Sequence, residues 1–222
     1  MTSYINNYAK KSGAQIKISP ASRKDGEVIL NAFLTSFSDN MTSNWNEEQV
    51  YGRPDPIGTF QNTTRKISLA FDAPAANLEE AKENLLAINE LKQYLYPTYS
   101  SNTGNNTSTN ALSLAKSPLV RIKFANLIQN HLGDGLLGWI GSFSANPVID
   151  MGMFNEGTRG EAKFYPKVYN ISIDFTPQHE FDLGYKTEIE VTKPGDDGIT
   201  GLTTTTKVID KNFTKFPYDG GQ

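Results

Sequence analysis

Two histidines, His131 and His179, and no cysteine set narrow limits on the chemistry open to this chain of 222 residues. Acyl transfer by a serine or cysteine needs a base beside the nucleophile, and histidine supplies it most often. His179 stands in FTPQHEFDLGY, just beyond Pro177 and between Gln178 and Glu180. With Glu180 and Asp182 it forms the one grouping that a hydrolase could use, on adjacency alone. The plainer reading is a turn histidine with a local hydrogen bond. His131, in NHLGD, has Asp134 nearby but no second histidine, and the lack of cysteine rules out thiolate metal sites. There is no Gly-x-Ser-x-Gly elbow. Gly133, Gly135 and Gly138 in GDGLLG match Gly-x-Gly-x-x-Gly, which grips a dinucleotide only between a strand and a helix. Here WIGSF follows, a strand pattern, so the glycines read as a hairpin turn. Glu79 and Glu80 head a helix, where the helix dipole favours negative charge. Asp196 and Asp197 sit in a glycine turn with no visible frame of six or more oxygens for calcium. No catalytic, cofactor-binding or metal-ligating residue is assigned, and no enzymatic activity is expected.

The elements that would have to position any such site are mostly strands. Hydrophobic residues make up 37% and charged residues 20% of the chain, and Asn, Thr, Ser and Gly fill the difference. That is the vocabulary of turns and exposed sheet. Twelve Phe and ten Tyr add bulk that favours strands. The net charge of −3 argues against a dedicated basic surface for nucleic acid. Asn-x-Ser/Thr triplets at Asn40, Asn62 and Asn212 read as Asn/Thr richness rather than glycosylation signals. The N-terminus has no apolar signal-like core, and no apolar run approaches the roughly 18 residues that span a bilayer. A chain made and folded in a cytoplasm is expected.

Residues 1–25 are polar and mildly basic and read as an extended N-terminal arm that a neighbour would order. Residues 26–192 read as a single β-domain, and 193–222 as a C-terminal extension with one further edge strand. EVILNAFLTSFSD (27–39) is a strand, partly buried on both faces; 45–60 is turn-rich. TRKISLAFDAP (64–74) alternates, with Ile67, Leu69 and Phe71 on one face. NLEEAKENLLAINELKQYLYP is the one helix, with Asn77 as N-cap, Glu80 at the capping-box position and Pro97 as its stop. Residues 99–111 are a flexible polar insert. SPLVRIKFANLI (117–128) and 136–144 flank Gly133-Asp134-Gly135 and should pair as a hairpin. In FYPKVYNISIDFTP, Tyr169, Ile171, Ile173 and Phe175 share one face and Asn170, Ser172 and Asp174 the other, so this strand builds structure.

The order RKISLAFDAP, EEAKENLLAINELKQYLYPTY, SPLVRIKFANLI, GLLGWIGSFSANPVIDMGMF and FYPKVYNISIDFTP resembles the baseplate-proximal tail-tube proteins of contractile-tailed bacteriophages, in particular the tube-initiator class. The resemblance covers about residues 45–180; the polar insert at 99–111 and the long C-terminal tail depart from it. It implies a mainly β fold with one packed α-helix (α+β), a tail-tube-like antiparallel β-sandwich or half-barrel. It further implies a structural virion protein without cofactor, six copies of which form a ring at the baseplate. That ring would join the central hub to the tail tube and line the channel through which genomic DNA passes without specific binding. Hub and tube proteins are the implied partners, the virion tail the implied location, and no membrane is involved. The hairpin of 117–128 and 136–144 is the candidate lumen or inter-subunit element, with Arg121, Lys123, Trp139 and Phe143 its candidate residues. Arg121 and Lys123 would otherwise pair with acidic residues of a neighbour. The alternatives are a baseplate wedge component or a carbohydrate- or peptidoglycan-binding module, in which Tyr51, Tyr96 and Tyr99 would stack on sugars, and the hydrolase built on His179.

Overall fold

The computed structural model describes residues 11, 13, 15–22, 26–100, 113–130, 132–157, 161–180, 183, 186–191 and 204–209. The strands are β1 (Gln15–Pro20), β2 (Val28–Asn31), β3 (Phe33–Glu48), β4 (Ile57–Pro74), β5 (Thr98–Ser100), β6 (Ser113–Lys116), β7 (Val120–Phe124), β8 (Leu136–Pro147), β9 (Met153–Glu156), β10 (Lys163–Pro166), β11 (Val168–Pro177), β12 (Lys186–Val191) and β13 (Thr204–Ile209). One α-helix, α1 (Leu78–Tyr94), lies between β4 and β5. Seven strands form one antiparallel sheet in the order β2-β1-β7-β8-β11-β4-β3; β5–β6, β9–β10 and β12–β13 are separate pairs. The fold is mainly β with one helix, as the sequence pattern implies.

The sheet order places β2 and β3 at opposite ends, yet only Ala32 separates them in the chain. Residues 28–48 are therefore one extended run. Its first four residues pair with β1 and the rest with β4, which rolls the sheet until its two ends meet. Alternation then sends every second side chain into the roll. Ile16 and Ile18 of β1, Ile67, Leu69 and Phe71 of β4, Ile122 of β7, and Ile171, Ile173 and Phe175 of β11 form one core. β7 and β8 pair at only three positions, Val120↔Gly138, Arg121↔Leu137 and Ile122↔Leu136. Ile88, Leu91 and Tyr94 of α1 add the helix to this core, and α1 packs beside β2 and β10. The helix starts as its cap predicts: the Asn77 side chain accepts from the Glu80 N–H at 2.8 Å, and Glu80 accepts from the Ala76 N–H at 2.9 Å.

Three expectations need correction. Of the extended arm 1–25, Gln15–Pro20 is an inner strand between β2 and β7, because Ile16 and Ile18 are fully buried apolar residues spaced for one face. The strand 27–39, read as doubly buried, breaks at Ala32; β2 alternates, and Phe33 and Leu34 at the start of β3 are exposed. The turn-rich stretch 45–60 is largely strand. β3 and β4 run on as one long hairpin, with the turn confined to 49–56 and bulges at Leu34/Ser36 and Asn44/Trp45. The 117–128 strand is shorter than expected, ending at Phe124, where a turn begins with Ala125 at φ 44°. The insert at 99–111 lies, from 101 onward, outside the described residues, as do most of 193–222, of which Thr204–Ile209 pairs with β12.

Gly138 sits where β7, β8 and β11 meet, opposite both Val120 and Pro177. A Cβ there would press on the Thr176 carbonyl and lie 2.7 Å from the Phe175 ring. We therefore expect Gly138→Ala to cost about 3 kcal/mol through overpacking, read as a lower urea midpoint at unchanged m-value.

Candidate functional site: a polar sheet face between two open edges

Four strands, β8, β11, β4 and β3, carry the surface of greatest interest. Their register puts Ser142, Ser144 and Asn146 of β8 beside Asp174, Ser172 and Asn170 of β11. Those in turn lie beside Ser68, Ala70 and Asp72 of β4, and β3 contributes Ser38 and Asn40 opposite Ser68 and Lys66. This outer face is almost entirely small, neutral and polar. Its carboxylates are tied by uncharged neighbours: Ser68 Oγ donates to Asp174 Oδ1 at 2.7 Å, and Asn170 Nδ2 to Asp72 Oδ1 at 2.7 Å. One lysine, Lys66, stands against these two aspartates. Such a face has no cluster of cations with which to hold phosphate.

Both sides of this four-stranded unit are open. β3 pairs with β4 alone, and β8 beyond Gly138 pairs with β11 alone. Long unpaired edges present rows of N–H and C=O groups that template another strand. Because successive strands alternate in direction, β3 and β8 run antiparallel to each other. A second copy set beside the first would therefore meet it with an antiparallel ladder.

The hairpin formed by β3 and β4 continues past the core. Before Arg65, every residue of β4 is exposed. On one side of this blade Asn44 Nδ2 donates to Asn62 Oδ1 at 2.6 Å. The other side carries Trp45 edge-on to Phe60 with centroids 5.4 Å apart, and Trp45 Nε1 donates to Ser43 Oγ at 2.8 Å. Trp45 and Phe60 are 56% and 51% exposed, a costly arrangement for a monomer in water.

At the hairpin base the core-facing side switches from apolar to ionic. Arg65 meets Asp39 through two bonds, Nε to Oδ1 at 2.9 Å and Nη2 to Oδ2 at 2.5 Å, with both side chains 3% exposed. His179 is half-buried beside them. Burial first, and the Arg65 charge second, lower its pKa from the usual histidine value, against an upward pull from Asp39. Next along, Glu180 takes the Arg121 guanidinium in a fork at 2.6 and 2.8 Å. The hydrogen bond from Arg121 holds the Glu180 carboxyl below its ordinary range and raises the Arg121 pKa in turn.

The four candidate residues do not converge on one surface. Arg121 and Lys123 lie on β7 opposite Ser19 and Lys17 of β1; Arg121 is engaged by Glu180, and Lys123 Nζ donates to the Gly133 carbonyl at 2.5 Å. Trp139, 45% exposed, lines an apolar groove of about 330 Å³ with Tyr94, Leu95, Pro118 and Leu119, where β7 and β8 part. Phe143 is partly buried and packs on the core from β8. His131 and Asp182 lie outside the described residues. Tyr51 is at the hairpin tip, whereas Tyr96 and Tyr99 follow the helix. GDGLLG leads into β8, and Gly133 makes the turn at φ 84°. Among the described residues no three His, Asp or Glu side chains cluster as a metal site, and no helix is long and apolar enough to cross a membrane. No protein-family model matches the chain, and no curated protein matches its sequence.

The sign of the His179 shift gives a pH dependence. The unfolded chain takes up the proton near pH 6.5 and the folded chain only below that, so the unfolded state binds more protons in between. Stability is full above about pH 6.5 and falls as the pH drops below it. His179→Gln should flatten the melting temperature between pH 7.5 and pH 5.5, a window (from about) above the range in which Glu180 titrates.

Proposed function

We propose that this chain is a structural protein of a contractile phage tail, forming a ring at the baseplate that joins the central hub to the tail tube. The observation that carries this reading is the four-stranded unit with a small, neutral polar face and two open, oppositely directed edges. Copies related by rotation meet head to tail, β3 of one against β8 of the next. Such heterologous contacts close into a ring when the rotation divides a full turn, and six copies are expected from the resemblance in the sequence. Each joint is antiparallel because every copy contributes an even number of strands.

The polar faces of successive copies then merge into one continuous surface around the channel. Ser, Asn and Thr side chains there let DNA slide, since without clustered Lys or Arg few counterions are released on contact. In this reading the channel lining is the β3–β4–β11–β8 face and not β7. Arg121 on β7 is already neutralised by Glu180. The β3–β4 hairpin, with Trp45 and Phe60 on one side, projects beyond the ring toward the hub or the next tube ring and is covered there. The chain acts by assembly, without catalysis or cofactor, and its site of action is the virion tail.

Electron microscopy and mass photometry of concentrated protein test this. The expected result is annular particles with a central hole and the mass of six chains. A monomer at every concentration, with and without hub protein present, contradicts it. Measured glycan affinity of that monomer would establish the sugar-binding alternative.

A further inference from the structure

Three consecutive residues beyond β11 reach three different parts of the sheet. The Gln178 N–H donates to the Leu137 carbonyl of β8 at 2.7 Å. His179 lies against the Arg65–Asp39 pair of β4 and β3. Glu180 forks onto Arg121 of β7. Segment 178–180 thus crosses the end of the barrel, and its middle residue meets the hairpin at the point where the hairpin leaves the core.

That point is unusual in its chemistry. From Ile67 onward β4 is held by apolar burial; before Arg65 it is exposed throughout. Arg65 is the last buried residue at the base of the projecting blade, and a forked carboxylate fixes its direction as apolar contact would not. A buried ion pair tolerates little displacement, because separating the charges leaves them without solvent or partner. The charges that face His179 are Arg65 from β4 and Asp39 from β3, with Glu180 next to it in the strap and Arg121 from β7 engaging Glu180.

We propose that segment 178–180 is a strap that fixes the angle at which the β3–β4 hairpin leaves the barrel, with the Glu180–Arg121 fork as its anchor. The strap keeps His179 against the Arg65–Asp39 pair, and the pair holds the hairpin. Releasing the anchor lets His179 withdraw, and the hairpin then moves about its base while the barrel stays folded. The strap is independent of the ring reading, since it acts within one chain.

Hydrogen exchange on the full chain, diluted to a monomer at pH 7.5, tests it. Glu180→Gln and Arg121→Gln should each speed exchange in 41–48 and 57–64 about threefold, the scale of a partly exposed ion pair. Exchange in 16–18, 67–71 and 171–175 should stay at wild-type rates. The swapped pair, Arg121→Glu with Glu180→Arg, should bring the hairpin back toward wild type. Unchanged hairpin rates in Glu180→Gln, or a rise spread evenly over all strands, overturn the proposal. His179→Gln supplies the second variant, expected to loosen the same two segments with the fork intact.

Discussion

Ala32 joins a strand at one end of the seven-stranded sheet to a strand at the other, and this single covalent constraint obliges the sheet to roll. Once rolled, the sheet has an inside, and alternation along each strand fills it. Ile16 and Ile18 face Ile122 and Phe124 across one part of the wall, while Ile67, Leu69 and Phe71 face Ile171, Ile173 and Phe175 across another. The same constraint explains what is left over. Closure uses four residues of the 28–48 run on the β1 side, so the rest of β3 must extend with β4 alone beside it. The hairpin has no core because it has outrun the roll.

What outruns the core has to be held by other means. Where apolar packing ends, the Arg65–Asp39 fork takes over, and the segment beyond β11 lies against it. Where β7 and β8 part after three paired positions, the C-terminal end of the helix and Pro118–Leu119 come up beside Trp139. Each device sits at an exit from the barrel. Between the exits lies the polar face of β8, β11, β4 and β3, the one broad surface whose composition is set neither by the core nor by the helix.

Much of the scaffold was legible in the sequence because its determinants are local. Period-two alternation in β11 and in the proximal half of β4 gave strand and facing together, and Asn77 with Glu80 placed the start of the helix. β1 was hidden because two isoleucines among lysines and serines are too short a signal to distinguish from a polar arm. The distal hairpin was read as turn because Asn, Thr and Ser favour turns locally. Pairing with a strand 18 residues away, seen in the Asn44–Asn62 bond, overrode that preference. Arg65 and Asp39, 26 residues apart, read as surface charges until the fold buried both. His179 read as a turn histidine; its neighbours on β3 and β4 are set by topology, which no short pattern encodes. The polar face needs the register of four strands before it exists at all.

The absence of cysteine permits a direct test of the claim that the open edges of β3 and β8 meet between copies. Cysteine pairs combining Ser36, Ser38 or Asn40 with Ser142, Ser144 or Asn146 would be introduced into the full chain, and concentrated protein would be oxidised and run without reductant. The account predicts that pairs in register give a ladder of cross-linked chains ending at a closed multimer, and that each single-cysteine variant gives none. Annular particles that form while every pair in the set stays monomeric on the gel would contradict it.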